Sequence, residues 1–219
     1  MSSPPAAPRF AAVGFDFGDT LFHSPSGVDA LVEAGVDRSR AERLWDEVWT
    51  ASKTAEELAR GRDLSADRHR SAWLGLLARL EPHAPGVAQR LYDRVIHTDG
   101  WRPYPDAAGV LRALHERGVR IGVLSNIAAG LRPLFERHAL AGYVDTYVES
   151  FRHGREKPDP ELFRTVCREL CVPPAETLMV GDSHLADGAA VLTGMTALLL
   201  PAVPPRTTRG LARVLDLCR

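Results

Sequence analysis

Residues 13–21 read VGFDFGDTL, an apolar run that ends at Asp16 and is followed by Gly18, Asp19 and Thr20. A short apolar run that passes into a glycine-containing segment is typical of a buried strand entering a turn. The stretch is consistent with an ordinary strand end, or with a carboxylate nucleophile presented at the tip of a strand. The two interpretations differ in what they require elsewhere, because a nucleophile needs partner groups at neighbouring strand ends.

Strand-like runs recur along the chain and alternate with amphipathic helical patterns. The predicted strands are 11–16, 120–125, 143–149, 177–181 and 195–200, and the predicted helices among the later ones are 105–118, 127–138, 159–171 and 184–193. This alternation predicts a Rossmann-like α/β fold, in which helices cover both faces of a parallel sheet. Such sheets bind their ligands at the carboxyl ends of the strands.

The interval from residue 23 to 102 interrupts the alternation. It contains several helical segments and no convincing strand, and about 80 residues are too many for a connecting loop in a compact domain. The expected organisation is a flexible tail at 1–9, an α/β core at 10–22 and 103–219, and an inserted all-helical domain at 23–102. Trp45, Trp49 and Trp73 are expected to form the core of the helical domain.

Composition and charge argue against several classes of function. The 219 residues are 45% apolar and 25% charged with a net charge of −1, so no basic surface for nucleic acid or membrane is indicated. No apolar run approaches the ~20 residues of a membrane helix, and the Pro- and Ala-rich start lacks the apolar region of a signal peptide. We expect a soluble cytoplasmic protein, and the sequence does not indicate an oligomeric state.

The predicted strand ends carry polar side chains in a specific order. These groups are Asp16 in GFDFGDTL, Ser125 and Asn126 in VLSN, Lys157 in GREKPDPELF, and Asp182 and Asp187 in VGDSHLAD. Each segment alone is a weak signal. Because the carboxyl ends of parallel strands share one edge, we expect a carboxylate, a hydroxyl, an ammonium and a carboxylate pair to converge there.

These four segments resemble motifs I to IV of the haloacid dehalogenase superfamily of hydrolases, in that order, and the resemblance extends from about residue 10. The helical interval lies where the C1 cap of that superfamily lies. The chain is especially similar to the subgroup with Asp-x-x-Asp-Thr in motif I and Gly-Asp-x-x-x-x-Asp in motif IV. The resemblance implies Mg²⁺-dependent hydrolysis, usually of the phosphate monoester of a small metabolite, through an aspartyl intermediate.

The resemblance also implies a nucleophile and a metal site. Asp16 would attack phosphorus, as carboxylate nucleophiles do when they form an aspartyl-phosphate. Asp16, the Gly18 carbonyl and Asp182 would bind Mg²⁺, which takes few carboxylates and completes its shell with water and phosphate. Asp187 would support the metal site from outside by orienting water or the lysine of motif III.

Four polar residues are implied to act on the substrate: Thr20, Ser125, Asn126 and Lys157. Thr20 and Ser125 would donate hydrogen bonds, and Asn126 would contact the leaving group. Lys157 would hold the nucleophilic carboxylate and the phosphoryl charge together. The chain has 25 Arg and only 2 Lys, so a Lys at 157 indicates that a compact ammonium is required there.

Motif I departs from the usual phosphatase pattern, which places a second Asp two residues after the nucleophile as general acid and base. Gly18 occupies that position, and Asp19 follows it. A one-residue shift normally turns a side chain to the opposite side, so we interpret Asp19 first as a turn residue and second as a displaced acid. Gly18 could adopt a conformation that turns Asp19 inward. His23 and His184 are further candidates for protonating the leaving group.

The missing acid leaves three alternatives open. A dehalogenase would use Asp16 without acid or metal, but would leave Asp182 and Asp187 unexplained. A phosphonoacetaldehyde-type hydrolase would use a lysine of the cap, and Lys53 is the lysine available, although we interpret it as a solvated surface residue. A weakly active or non-catalytic binding protein would keep the pocket and lose turnover.

Overall fold

The computed structural model describes residues 9–201, 203–204 and 207–218. Its strands are β1 (Ala12–Phe15), β2 (Phe22–His23), β3 (Arg102–Pro103), β4 (Arg120–Ser125), β5 (Thr146–Glu149), β6 (Thr177–Gly181) and β7 (Thr196–Leu199). Its α-helices are α1 (Gly27–Glu33), α2 (Arg38–Ser52), α3 (Ala55–Ala59), α4 (Ala66–Leu77), α5 (Val87–Leu91), α6 (Ala107–Glu116), α7 (Arg132–Arg137), α8 (Ser150–His153), α9 (Pro160–Leu170) and α10 (Ala212–Leu217). The predicted tail at 1–9 lies, except for residue 9, outside the described residues.

The central sheet is parallel, with strand order β5-β4-β1-β6-β7. Its strands match the five predicted runs, and helices pack on both faces, so the predicted Rossmann-like α/β fold is confirmed. In β1, Val13 and Phe15 belong to one hydrophobic cluster and Ala12 to the other. Because alternate side chains of a strand point to opposite faces, a strand covered on both faces needs a continuous apolar run.

Two predicted helices are shorter than expected. The predicted helix at 184–193 is a 3₁₀ segment at Asp187–Thr193, because the residues before it form a loop that bonds back to the Asp187 carboxylate. The predicted helix at 127–138 begins at Arg132, with Pro133 in its first turn. Proline is tolerated in a first helical turn because the backbone N–H groups there have no intrahelical acceptor.

The strand register brings the motif residues to one edge of the sheet. Phe15 of β1 pairs with Val180 of β6, and the Asp16 backbone N–H donates to the Val180 carbonyl at 2.8 Å. β4, the neighbour of β1 on its other side, ends at Ser125. Asp16, Ser125 and Asp182 therefore follow three adjacent strands at their carboxyl ends.

The segment from residue 27 to 100, called here the helical insertion, contains only helical elements among its described residues. Ser26, Asp37, Thr54 and Ser65 each stand before a helix, and each side chain accepts a hydrogen bond from a backbone N–H of the first turn. Such caps satisfy donors that have no partner within the helix. The helix starts of the insertion are thus specified locally by the sequence.

The helical insertion has a hydrophobic cluster of its own. Trp73 is buried in this cluster, and Trp45 and Trp49 pack against it as stacked rings, with centroids 6.0 Å (Trp45–Trp49) and 5.9 Å (Trp49–Trp73) apart. β2 precedes the helical insertion and β3 follows it, and the two strands pair antiparallel where the insertion leaves and rejoins the core.

Every helix in the described part of the chain is too short or too polar to span a lipid bilayer.

Candidate active site

A cavity of about 340 Å³ lies between the carboxyl edge of the sheet and the helical insertion. Its core wall includes Asp16, Asp19, Ser125, Lys157, Asp182 and Asp187. Its insertion wall includes Trp49, Lys53, Leu58, Arg62, Asp63 and Trp73. The core wall collects the polar groups that the strand ends predicted, whereas the insertion wall is a set of contacts that the sequence did not indicate.

Lys157 is the buried centre of the core wall, with 5% of its surface exposed. Its ammonium donates hydrogen bonds to Asp16 Oδ1 at 2.6 Å, to Asp187 Oδ1 at 2.6 Å and to the Leu124 carbonyl oxygen at 3.0 Å. Burial alone would lower the pKa of Lys157, but the two carboxylates outweigh burial and raise that pKa above its ordinary value. Lys157 therefore stays cationic and orients the Asp16 carboxylate.

Asn126 fixes the backbone from which Lys157 extends. The Lys157 N–H donates to Asn126 Oδ1 at 2.6 Å, and Asn126 Nδ2 donates to the Lys157 carbonyl at 2.9 Å. Both ends of the amide are thus used, which ties the end of β4 to the segment before α9. The Asn126 side chain also lines the cavity, and its predicted contact with the leaving group stays a prediction.

Three carboxylates meet beside this lysine. One oxygen from each of Asp16, Asp182 and Asp187 lies within 4.8 Å of the others. Burial, with the negative charges of Asp187 and Asp182, raises the pKa of Asp16 to about 7 against the opposing charge of Lys157. Burial and the charge of Asp19 raise the pKa of Asp182 to about 6. This concentration of negative charge is unfavourable by itself, and a bound cation would relieve it.

The arrangement of the acidic cluster fits a divalent cation with hard oxygen ligands. Asp187 is committed to support: Oδ1 accepts from Lys157, and Oδ2 accepts from the backbone N–H groups of Asp182 and Ser183 at 3.1 and 3.0 Å. Asp16 and Asp182 are the carboxylates left to bind a cation, and Gly18 lines the cavity beside them. Metal binding by Asp16, the Gly18 carbonyl and Asp182 stays a prediction.

Two predicted hydrogen-bond donors differ in position. Ser125 is buried at the end of β4 and lines the cavity. Thr20 is fully buried, stands outside the described lining of the cavity, and its hydroxyl has no hydrogen-bond partner among the described residues. The position of Ser125 therefore supports the predicted hydrogen bond from its hydroxyl to the substrate. The position of Thr20 does not support the corresponding prediction.

The expectation that Asp19 turns away from the site needs correction. Asp19 has a φ of 53°, in the left-handed region, and its side chain lines the cavity. The unusual backbone conformation thus belongs to Asp19 itself, not to Gly18, and it offsets the one-residue shift in sequence. Asp residues tolerate this conformation better than most. Asp19 is a turn residue whose carboxylate nevertheless faces the site.

Arg209 holds this turn and was not indicated by the sequence. It is 2% exposed, and its Nε donates to the Asp19 carbonyl at 2.6 Å while Nη2 donates to the Leu200 carbonyl at 2.9 Å. Its own backbone N–H donates to Asp106 at 2.9 Å. An isolated arginine near the end of the chain carries no motif, so only the fold reveals that it supports motif I.

Lys53 is exposed, as expected of a solvated lysine, but it also lies beside the cavity. It follows the last residue of α2, and its ammonium lies 3.5 Å from Asp19 Oδ2 and 5.1 Å from the centre of the Trp49 ring. Its side chain is 51% exposed, and the exposed part lines the cavity. The insertion thus contributes a cation to the same cavity as Lys157.

Trp101 covers Gly18. A Cβ placed on Gly18 would lie 3.1 and 3.3 Å from two carbons of the Trp101 ring. The ring is held in place because it stacks on Phe17 with centroids 5.1 Å apart and its Nε1 donates to the Val95 carbonyl at 3.0 Å. A side chain at the position that carries an acid in the common pattern would therefore press against an indole ring. The sequence gave no sign of this contact, since a lone tryptophan after a helix is not a motif.

The histidine candidates separate clearly. His184 is exposed and lines the cavity, whereas His23 belongs to β2, contacts Ser24 and borders a different cavity. His69, which the sequence did not single out, also lines the site, but burial lowers its pKa to about 4, so it is neutral near pH 7. Its Nδ1 lies 3.0 Å from the Tyr92 hydroxyl.

A 3₁₀ turn at Arg62–Leu64 connects the insertion wall to the core. The Asp63 N–H donates to Glu156 Oε1 at 2.6 Å, and the Ser150 hydroxyl donates to the Asp63 carbonyl at 2.7 Å. Arg62 donates to the Ser52 carbonyl at 2.7 Å. Burial raises the pKa of Asp63 to about 6, against the charge of Arg62. In the sequence this turn shows only as GRD, a break between helices.

The parallel sheet presents carboxylates and a buried lysine at its strand ends, beneath a helical insertion. This arrangement is typical of α/β hydrolases whose active site is a group of carboxylates. The sequence model of the haloacid dehalogenase-like hydrolase family matches residues 10–191, and the chain belongs to this family.

Several relatives illustrate the range of this family. Phosphoglycolate phosphatase of Rhodospirillum rubrum is 31% identical over 199 residues, which cover 86% of this chain and 78% of that protein. Haloacid dehalogenase-like hydrolase domain-containing protein 3 of Mus musculus is 31% identical over 120 residues, 54% of this chain and 48% of that protein. The chain thus spans about half the length of the first curated relatives it matches. Among solved structures, L-2-haloacid dehalogenase from Xanthobacter autotrophicus is similar with a TM-score of 0.65 and 28% identity, covering 94% of this chain and 82% of that one.

Proposed function

We propose that the chain is a Mg²⁺-dependent phosphatase that acts on a small phosphorylated metabolite through an aspartyl-phosphate on Asp16. One observation carries the proposal. The Lys157 ammonium lies 2.6 Å from both Asp16 and Asp187, and Asp182 completes a carboxylate cluster within 4.8 Å. Such a site combines a nucleophile, a cation that orients it and ligands for a metal, which are the parts that phosphoryl transfer requires.

In this proposal Asp16 attacks phosphorus in line with the ester oxygen. Lys157 holds Oδ1 of Asp16, which leaves the second oxygen as the nucleophile, and adds positive charge where the phosphoryl oxygens gather. The Ser125 hydroxyl donates to a phosphoryl oxygen from the end of β4. Water then hydrolyses the aspartyl-phosphate, which releases inorganic phosphate and restores the Asp16 carboxylate.

Asp16, the Gly18 carbonyl and Asp182 would hold Mg²⁺, and Asp187 supports them through Lys157 and the backbone of the Asp182 loop. Bound there, the cation would neutralise charge on the phosphoryl group and would favour the ionised form of Asp16, whose pKa burial raises to about 7. The raised pKa values of Asp16 and Asp182 support this role, because burial and neighbouring carboxylates disfavour the charged form of each and a bound cation would favour it.

The size of the substrate follows from the cavity and the insertion. About 340 Å³ accommodates a small metabolite, and the helical insertion would act as the cap that roofs it. Phosphatases among the relatives, such as the phosphoglycolate phosphatase of Rhodospirillum rubrum, support a small phosphorylated substrate. The boundaries that we propose are 23–102 for the cap and 10–22 with 103–219 for the core.

The test is release of inorganic phosphate from a panel of small phosphate esters. We expect turnover with Mg²⁺, loss of turnover after EDTA treatment, and recovery when Mg²⁺ is added back. A phosphoprotein serves as the comparison substrate and should be hydrolysed more slowly than the best small ester. Absence of phosphate release from every ester in the presence of Mg²⁺ would overturn the proposal.

A dehalogenase is the second candidate, because Gly18 provides no acid and the L-2-haloacid dehalogenase of Xanthobacter autotrophicus is similar in structure. A dehalogenase needs neither a general acid nor a metal. Halide release from a 2-haloacid that persists after rigorous chelation, together with no phosphate release, would favour this candidate.

A further inference from the structure

Both lysines of the chain line the same cavity. The sequence contains 25 Arg and 2 Lys, and the fold brings Lys53 from the helical insertion and Lys157 from the core to one site. Arginine stands at almost every basic position of the chain, whereas both lysine side chains lie at this one cavity. Lys157 has a role in the proposed function, and Lys53 has none.

Lys53 is held at the cavity by two contacts of different kinds. Its Nζ lies 3.5 Å from Asp19 Oδ2, and it stands over the Trp49 ring at 5.1 Å from the centroid. A carboxylate and an aromatic face both attract an ammonium group. The half-exposed side chain therefore has a defined position and still presents N–H groups to a ligand.

The position of the usual acid in motif I carries no proton donor. Gly18 has no side chain, and a Cβ there would lie 3.1 Å from the ring of Trp101. His69 is neutral near pH 7, since burial lowers its pKa to about 4, and it is bonded to Tyr92. Arg62 is cationic, but a guanidinium does not give up its proton in proteins. His184 also lines the cavity, and Lys157 is bonded to Asp16 and Asp187. Lys53 is the cavity cation that contacts Asp19, the residue after Gly18.

We propose that Lys53 is the proton donor to the leaving group, and that Asp19 positions its ammonium. The proposal rests on the proposed function. As the bond from Asp16 to phosphorus forms, the bond from phosphorus to the ester oxygen breaks, and that oxygen takes a proton from Lys53 Nζ. The neutral amine then accepts a proton from the water that hydrolyses the aspartyl-phosphate. The sum is ester plus water to alcohol plus phosphate, with Lys53 restored.

This assignment explains why the position carries lysine in an arginine-rich chain. A lysine ammonium can transfer its proton to a departing alkoxide, whereas a guanidinium holds its proton much more strongly. In this assignment the proton donor belongs to the helical insertion and not to motif I, and Asp19 is the residue that positions it.

The test compares two substrates that share a nitroaryl ring. p-Nitrophenyl phosphate releases a phenolate that departs without a proton, and p-nitrobenzyl phosphate releases an alkoxide that requires one. We expect Lys53→Met to lower kcat for p-nitrobenzyl phosphate by ~10²–10⁴-fold and for p-nitrophenyl phosphate by a much smaller factor. Lys53→Arg should behave like Lys53→Met, because charge alone is not sufficient. Arg43→Met, which removes an exposed cation of α2 outside the cavity, is the matched control and should leave the ratio of the two rates unchanged.

Two further measurements separate chemistry from structure. Ethylamine in solution should restore p-nitrobenzyl phosphate turnover to Lys53→Ala, since a free amine can replace the missing group. Asp19→Asn should shift the ratio of the two kcat values in the same direction as Lys53→Met, by a smaller factor, because the amine remains but is held less well.

The outcomes are distinct. Equal losses on both substrates, no loss, or full activity of Lys53→Arg would each overturn the proton-donor role. Turnover of p-nitrophenyl phosphate that disappears in Asp16→Asn would uphold the proposed function whatever Lys53 does. No turnover of either ester by the unmodified protein would overturn both proposals.

Discussion

The two walls of the cavity hold their lysines in different ways. Lys157 in the core wall is 5% exposed and reaches three acceptors within 3.0 Å. Lys53 in the insertion wall is 51% exposed and reaches one carboxylate at 3.5 Å. The parallel register fixes the core wall, and a helix end carries the insertion wall. The comparison indicates that the reacting groups are preorganised by the sheet, while the groups that meet the rest of the substrate are less constrained.

The largest expected effect belongs to the core wall. Asp16→Asn removes the nucleophile while preserving the size of the side chain, so turnover should fall by at least ~10⁴-fold, to background. Phosphate release under saturating substrate measures it. The loss should be equal for aryl and alkyl esters, in contrast to the unequal loss expected for Lys53. Measurable turnover in Asp16→Asn would show that the core wall does not contain the nucleophile.

The second-largest expected effect is a loss of stability when the buried ion pairs of the core wall are broken. Lys157→Met leaves Asp16 and Asp187 buried without their cation, which should lower the free energy of unfolding by about 3–5 kcal/mol. Urea denaturation in EDTA measures this without help from a bound metal. Arg132→Met is the control, because the Arg132–Glu136 pair is exposed and should contribute under 1 kcal/mol. Similar losses in the two variants would mean that burial does not distinguish the core wall.

The core wall could be predicted from the sequence because sheet geometry carries information from one strand to the next. Once VGFD, VLSN and MVGD were recognised as strand ends, the carboxyl edge of a parallel sheet required Asp16, Ser125 and Asp182 to meet. A contact of Asp187 with Lys157 was one of two roles that the motifs implied for Asp187, the other being to orient water. The side-chain direction of Asp19 did not, because a φ of 53° at a non-glycine residue leaves no mark in the sequence.

The insertion wall could not be predicted in the same way. Capping residues such as Asp37 and Ser65 mark helix starts locally, but the packing of short helices against the sheet depends on many small contacts. The contact of Lys53 with Asp19 joins residues 34 positions apart in sequence, and that of Asp63 with Glu156 joins residues 93 positions apart. Neither pair belongs to a periodic pattern, so a local reading treats each residue as surface or turn.

The buried carboxylate of the insertion wall should be visible in the pH dependence of stability. Burial raises the pKa of Asp63 from 3.8 to about 6. Folded protein therefore binds this proton more tightly than unfolded protein, and the Asp63 contribution to stability falls as the pH rises from about 4 to about 6. Asp63→Asn removes that dependence. Relative to the unmodified protein, the free energy of unfolding of Asp63→Asn should rise by on the order of 2–3 kcal/mol between pH 4 and pH 7.

Urea midpoints at several pH values in this range measure the difference between the two proteins, in which the titration of other groups largely cancels. Asp67→Asn removes the same charge from an exposed position of α4 and controls for the change in net charge. A difference between Asp63→Asn and the unmodified protein that stays constant with pH would show that Asp63 is well solvated.

The smallest effect concerns the boundary between the two walls, where Trp101 lies on Gly18. Gly18→Ala would place a Cβ 3.1 Å from the ring, and the ring cannot retreat easily because it stacks on Phe17 and is bonded to Val95. Overpacking of this kind costs about 1–3 kcal/mol, and we expect a loss near the lower limit because a shift of a few tenths of an ångström would relieve the contact.

Gly109→Ala is the matched control for this substitution. Gly109 lies within α6, a Cβ there would meet open space, and alanine in a helix should stabilise the protein by about 0.5–1 kcal/mol. Both substitutions reduce the freedom of the unfolded chain similarly, so the opposite signs expected in urea denaturation isolate the contact with Trp101. If Gly18→Ala stabilised the protein as Gly109→Ala does, the position would have room for a side chain. An aspartate at position 18 could then fit and act as the acid. That result would contradict the argument that steric contact with Trp101 excludes an acid from this position.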